Sequence, residues 1–165
     1  MVGLYQKGIT LIELIITLAL VAVIIASIAP LGRSWIATAH VSKAQSVLTQ
    51  AFNKAKTEAL KNPNKVLSDA TNPTTALIVV DNTGRLIKVY DSNNNEIWED
   101  SFDNDVTVTI TNQISTSPYT SCNGNTILLN NTLQFLDSST KSTSTTCSNY
   151  AIAASSAQTV TGVLR

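Results

Sequence analysis

The chain has 165 residues, with eleven Lys and Arg balanced by eleven Asp and Glu, a single His and two Cys. That length supports one domain, and the zero net charge argues against indiscriminate nucleic-acid binding, which rests on phosphate neutralisation. A local basic patch stays open. Aromatic residues make up only 5%, so a soluble part built from this Ser-, Thr- and Asn-rich sequence has a modest core for its size.

The first element is an apolar run from Ile9 to Ala29 whose only charge is Glu13. About 20 residues at 1.5 Å rise cross the roughly 30 Å hydrocarbon core. A carboxylate in such a span costs about 2.5 to 3.5 kcal/mol on insertion scales, less near its end, which makes Glu13 a functional residue in need of a partner. A secretory signal would place a small-residue cleavage site after the run. Ser27-Ile28-Ala29 imitates one, but Pro30 would block the cut, and no Cys follows to make a lipoprotein. A plain transmembrane anchor explains the hydrophobicity and leaves Glu13 and the abutting Lys7-Gly8 as coincidences.

The string Lys7-Gly8-Ile9-Thr10-Leu11-Ile12-Glu13 resembles the class III signal of type IV prepilins and type II secretion pseudopilins. The resemblance implies that a membrane prepilin peptidase cuts between Gly8 and Ile9 and methylates the new amine of Ile9. Glu13 then becomes the fifth mature residue, which the family pairs with the N-terminal amine of a neighbouring subunit. Pro30 sits where pilins carry a helix-loosening proline. Ile9 departs from the family's usual Phe. Removing Lys7 with the leader leaves the mature side chains at a charge of about minus one.

Helix signals continue beyond the span. Ala44, Val47, Leu48, Ala51, Ala55 and Ala59 recur at i, i+3, i+4, with Lys43, Gln45, Lys54, Lys56, Glu58 and Lys61 between them, which predicts an amphipathic helix over 31–62. Pro30 and Gly32 predict a bend or local melting between the two halves. Asn62-Pro63-Asn64 is a stop signal. After a polar linker the period becomes two. Ala76–Val80 and Arg85–Tyr90 flank Asp81-Asn82-Thr83-Gly84 as a hairpin, Asp91–Asn95 forms a second turn, and Glu96–Glu99 and Asp105–Ile110 extend the meander. Later candidate strands are Thr126–Leu129, Thr132–Leu136, Tyr150–Ala154 and Thr159–Leu164. The sum is an α+β pilin fold, with the Val47/Ala51/Ala55 face covering an antiparallel sheet.

On this reading residues 1–8 are the leader peptide, 9–30 the transmembrane assembly helix, 31–62 the amphipathic helix and 63–165 the β-rich head. For an exported head, Cys122 and Cys147 are most simply a disulfide made in an oxidising periplasm. The only His, His40, lies far from both on the predicted helix, which argues against a metal site. Ser138–Thr146, almost without apolar residues, reads as a mobile solvated loop, with glycosylation or partner contact as its alternative.

The stretch Lys56-Thr57-Glu58-Ala59-Leu60-Lys61-Asn62 resembles the helix of FimT/FimU-type minor pilins and H-type (GspH) pseudopilins, and a closed C-terminal cysteine loop is the pilus subfamily's habit. Some FimT-type pilins bind DNA through a C-terminal Gly-Arg-x-Arg. Here Gly162-Val163-Leu164-Arg165 keeps the Gly and the final Arg but has Val163 where the first Arg would be, so DNA contact would fall to Arg165 with Lys54, Lys61 and neighbouring lysines, which equally suit the wet face of a helix. The sequence has no Gly-rich phosphate loop, no nucleophile with a plausible base, no clustered metal ligands and no cofactor motif, so an enzyme is not expected. Asp100, Asp103 and Asp105 read as a loose acidic turn.

The resemblance implies a minor type IV pilin held in the bacterial inner membrane by lipid, its head in the periplasm before it joins a pilus on the cell surface. Its partners would be other minor and major pilins, the prepilin peptidase and the inner-membrane assembly platform. Twitching, adhesion or DNA uptake are the outputs such a pilus serves. A pseudopilin of a type II secretion system and a DNA-binding pilin for transformation are the alternatives.

Overall fold

The structure is a computed structural model that describes residues 10–67, 71–112, 122, 124–137, 140–141, 143 and 147–165. It has α+β architecture: helix α1 (Leu11–Lys61) is followed by eight strands, β1 (Ala76–Asp81), β2 (Leu86–Asp91), β3 (Glu96–Ser101), β4 (Val106–Thr111), β5 (Thr126–Leu129), β6 (Phe135–Leu136), β7 (Asn149–Ala154) and β8 (Val160–Val163). Two compact units divide the chain, Met1–Ile36 and Ala37–Arg165.

In the first unit every described side chain of α1 from Leu11 to Ile28 is exposed. The best 18-residue window has a mean hydropathy of 2.8, which makes this helix long and apolar enough to cross a membrane. Its hydroxyls are compatible with that role. Thr17 donates to Leu14 O at 2.9 Å and Ser27 to Val23 O at 2.8 Å, so neither brings an unpaired donor into lipid.

In the second unit the same helix becomes one-faced. Val41, Ala44, Val47, Leu48, Ala51, Phe52, Ala55 and Ala59 are all buried, the face anticipated from the periodicity. The helix ends at Lys61, where Asn62 turns left-handed (φ 40°) and its side chain closes on both Val66 N and Val66 O at 2.8 Å. Asn can adopt this conformation at small cost, and Pro63 cannot continue the helix.

The strands form two antiparallel sheets rather than one. The first has order β3-β2-β1-β5-β6, the second β4-β7-β8. The meander anticipated from the sequence holds through β3 and then breaks. Val106 N donates to Asp103 O at 3.1 Å in the turn that sends β4 away, and β4 pairs with β7, its Val108 opposite Ile152. Inward residues of both sheets, including Ile78, Val89, Ile127, Val108 and Ile152, share one core with the helix. Phe52 stacks on Phe135 of β6 with ring centroids 5.9 Å apart.

Two asparagines bridge the sheets. Asn82 accepts from Val108 N at 2.9 Å and donates to Val108 O at 2.8 Å. Asn125 accepts from Ile110 N at 2.6 Å and donates to Val108 O at 2.8 Å, while its own carbonyl accepts from Val80 N at 3.1 Å. These amides supply to the edge of β4 the bonds a neighbouring strand would otherwise make. Asn125 is left-handed at φ 66°.

Strand ends differ where turns claim residues. In the first hairpin the left-handed position is Arg85 (φ 61°), not Gly84. Gly84 is required because a Cβ there would strike the Asp81 carboxylate, which accepts from Thr83 N and Gly84 N at 2.8 and 2.9 Å. Strand β6 is shorter than anticipated because Asn130 Oδ1 accepts from Thr132 N and Gln134 N at 3.0 and 2.8 Å, leaving Leu133 at φ 62°. Of the Ser/Thr-rich segment, 138–139, 142 and 144–146 lie outside the described residues, and Thr143 bridges to Leu136.

Three predictions follow from this packing. Gly162 lies directly across from Tyr150, and a Cβ there would run into the Tyr150 ring and hydroxyl. That hydroxyl accepts from Gln45 Nε2 at 3.0 Å. Gly162→Ala is expected to cost about 1 to 3 kcal/mol of overpacking in urea unfolding. Asn125→Ala strands two strand groups and is expected to cost about 3 kcal/mol. At the β2–β3 turn, burial pushes the Asp91 carboxyl up but is outweighed by hydrogen bonds from the Asn95 side chain and from the backbone N–H groups of Asn95 and Asn93, so its pKa is lowered. A lowered folded-state pKa contributes stability that is full above the unfolded value of about 3.9 and is lost as pH falls from there through the lower folded-state value. Urea midpoints of Asp91→Asn and the parent should therefore differ at pH 7 and converge below about pH 4.

Candidate functional site

Glu13 opens α1. Its N–H points to Thr10 Oγ1 at 3.3 Å, and Leu14 N donates to Thr10 O at 3.2 Å, so Thr10 is the N-cap residue and Thr10-x-x-Glu13 has the spacing of a capping box. The carboxylate in the first turn also faces the positive end of the helix dipole. This local role was readable from the sequence as Thr followed three residues later by Glu, and it stands beside any role in assembly. Glu13 is exposed, with exposed Leu11, Ile12, Leu14 and Ile15 around it.

Gly8 and Ile9 lie outside the described residues. Pro30 falls within α1. Arg33 and exposed Trp35 follow the apolar stretch, the pairing of basic and aromatic residues that marks a membrane–water interface. Sequence reasoning missed Trp35, whose signal was its position just past the run.

Cys122 and Cys147 are bonded, with Cα atoms 5.7 Å apart across 25 residues. Cys122 N donates to Ile110 O at 2.7 Å, and Cys122 O accepts from Asn125 N at 2.9 Å. The bond therefore clamps the turn that carries the bridging Asn125 to the start of β7. For a loop of that length the chain-entropy relation gives about 3.5 kcal/mol.

The basic residues do not converge. Arg165 O accepts from Lys56 Nζ at 3.2 Å, and that ammonium lies 5.4 Å from the Phe52 ring centroid. Lys54 and Lys61, seven residues apart, share one side of the helix, whereas Lys56 is about 200° around from Lys54 at 100° per residue. Arg165 is thus brought to Lys56 and away from the Lys54/Lys61 side. Among the acidic residues, Asp103 lies 3.3 Å from Lys43 Nζ and Asp105 2.8 Å from His40 Nδ1, so both tie the β3–β4 turn to α1. Lys88, held above its ordinary range by hydrogen bonds to Glu96 and Glu99, pairs across β2–β3 at 2.7 and 3.1 Å. Among the described residues there is no cluster of His, Cys, Asp and Glu fit for a metal.

No curated protein sequence and no solved structure matches the chain. The family model of the prokaryotic N-terminal methylation motif matches residues 4–29. That match covers Lys7-Gly8, Glu13 and the exposed apolar turns of α1, so the N-terminus is a type IV pilin-like prepilin signal, carried by a chain with a disulfide-bonded α+β head.

Proposed function

We propose that the protein is a minor type IV pilin of the FimT/FimU type, a low-abundance subunit of a priming or tip complex needed for pilus assembly. The observation that carries the reading is a single carboxylate, Glu13, in an apolar stretch of helix that has no cover among the described residues of its own unit and lies within an N-terminal methylation motif. In this reading the peptidase removes residues 1–8 and methylates Ile9. The inner membrane holds 9–30 with the head on the periplasmic side, and 31–62 joins the anchor to the head of 63–165. On leaving lipid the apolar helix exchanges acyl chains for the helices of neighbouring pilins. Glu13 then pairs with a neighbour's amine, which offsets the cost of carrying its charge into an apolar bundle. Pro30 cannot donate the bond that Ala26 O would otherwise accept, which gives the helix a point of weakness between span and head.

The bonded cysteines favour a pilus over a type II secretion pseudopilus, because the resemblance associates closed cysteine loops with minor pilins. DNA binding has weaker support, since Lys56 is engaged by Arg165 O and Phe52 and the remaining lysines lie elsewhere on the helix.

Two outcomes test the reading. In a strain lacking the protein, sheared surface pili should fall sharply while exoprotein secretion stays normal, and complementation should restore them. Lost secretion with normal pili would make the protein a pseudopilin. Glu13→Ala should still be processed, seen as the same mass loss, yet appear in sheared filaments at no more than about a tenth of the parental level. Normal incorporation would refute the pairing role.

A further inference from the structure

The two open sheets have four edges, and an edge with a row of unpaired N–H and C=O groups is a template for another chain. Three of the four are blunted, each by a different device. The outer side of β4 is filled from within the protein. Asn82 takes both backbone groups of Val108, Asn125 takes Ile110 N, Cys122 N donates to Ile110 O at 2.7 Å, and Arg85 Nη1 donates to Val106 O at 3.4 Å. Edge strand β3 carries Glu96, Glu99 and Asp100, and a bulge shifts its register between Val89 and Tyr90 of β2. At the other side of that sheet β6 has two residues, and its Leu136 is bridged by Thr143.

Strand β8 has none of these devices among the described residues. Leu164 N donates to Ser148 O at 2.7 Å, and the two residues stand opposite each other when the β7–β8 register is continued. The alternation of an antiparallel ladder therefore turns Gly162 and Val160 toward β7 and leaves the N–H and C=O of Thr161 and Val163 directed outward. The other side of β7 gives the same phase. Because Val108 and Ile110 use their backbone groups away from β7, Ala151 and Ala153 serve β4, and Tyr150 and Ile152 are left for β8. Thr161 and Val163 make no hydrogen bond to another element among the described residues. From Ser155 to Leu164 the chain has no charged residue and no proline, and the β7–β8 register runs without a shift. Charge begins at the C-terminal end of the strand, where Arg165 is exposed and its carbonyl holds the Lys56 ammonium at 3.2 Å.

Unpaired donors and acceptors alternating along one line call for an extended backbone, because a helix bonds its own main-chain groups internally. We propose that β8 is a docking edge on which an extended segment of a different protein adds as the next strand of the second sheet. The segment runs antiparallel to β8, is uncharged where it faces Thr161 and Val163, and is acidic at its N-terminal flank. Antiparallel pairing is the arrangement of every ladder in both sheets and the more stable per residue. It sets the first residues of the added strand beside the Lys56/Arg165 end of β8, where an acidic side chain meets two cations. A second copy of β8 has no acidic residue to offer there, so self-pairing would leave those cations unanswered. Thr161 and Val163 exchange main-chain hydrogen bonds with the incoming strand. Their β-branched side chains lie on the face opposite Val160 and Leu164, which pack on the core, and give it cross-strand neighbours. The edge belongs to the head alone and is independent of how the N-terminal helix assembles.

The test titrates the full chain, in zwitterionic detergent, with the end-blocked peptide Asp-Thr-Val-Thr-Val-Thr and follows amide NMR shifts and hydrogen exchange. The peptide should bind saturably with a Kd on the order of 1 mM, as a few net hydrogen bonds would yield. It should slow exchange of the Thr161 and Val163 N–H groups and leave β3 unchanged. A copy with its central amides N-methylated should not bind, a control that leaves the protein untouched. Val163→Pro removes an outward N–H without touching the β7 ladder. It should weaken the peptide about tenfold, the effect of one lost hydrogen bond, with the β4 and β7 shifts preserved. Replacing the peptide's Asp by Asn should weaken binding several-fold in the parent and make no difference in Arg165→Gln. Shifts without saturation, equal binding of the N-methylated copy, unchanged affinity in Val163→Pro, or protection centred on β3 would overturn the assignment. So would dimers in sedimentation equilibrium that Val163→Pro abolishes, since the occupant would then be a second copy.

Discussion

One helix has to satisfy two solvents. From Leu11 to Ile28 all its described side chains are exposed and nearly all are apolar, and from Val41 onward only one face is buried. The first stretch is stable only where lipid or other apolar helices surround it, and the second only where a sheet covers its small-residue face. The rest of the chain answers the second demand. The strands supply the covering face, the turns bring it into register, and the disulfide holds the loop that completes it. The first demand cannot be met inside the described part of its own unit, which is why the segment reads as made for a membrane and for partners.

Local signals were legible in the sequence wherever a single segment decides the outcome. The helical face from Ala44 to Ala59, the stop at Asn62-Pro63 and the strands from Ala76 to Ile110 follow from periodicity and turn chemistry. The division into two sheets does not, because it depends on which distant strand β4 chooses. That choice is made by side chains whose types look ordinary. Asn82 lies in a stretch that reads as a turn and Asn125 just ahead of a candidate strand, and nothing in their local pattern reveals that each amide completes a strand edge in another sheet. Gly84 and Gly162 were visible as glycines, but the reason for each is a carboxylate or a ring that only the folded chain brings close.

The candidate site divides the same way. The prepilin signal is a contiguous string, so the sequence alone carried it. The capping geometry of Thr10 and Glu13 is equally local, a Thr-x-x-Glu spacing that lies within the same string as the lone charge. A residue can do both, since the backbone contact comes from the Glu13 N–H and leaves the carboxylate to a partner.

The alanines on the buried face of α1 reverse the usual expectation for tolerance to change. In most cores the large residues are irreplaceable and the small ones forgiving. Here Ala44, Ala51, Ala55 and Ala59 are each fully buried, and an added methylene has no room except by pushing the helix off the sheet. Drift at these four positions should therefore be confined to glycine and serine, while the wet face one third of a turn away accepts almost any polar residue. Diversity along this helix would then be a map of its packing, written as narrow and broad columns that alternate with the helical repeat.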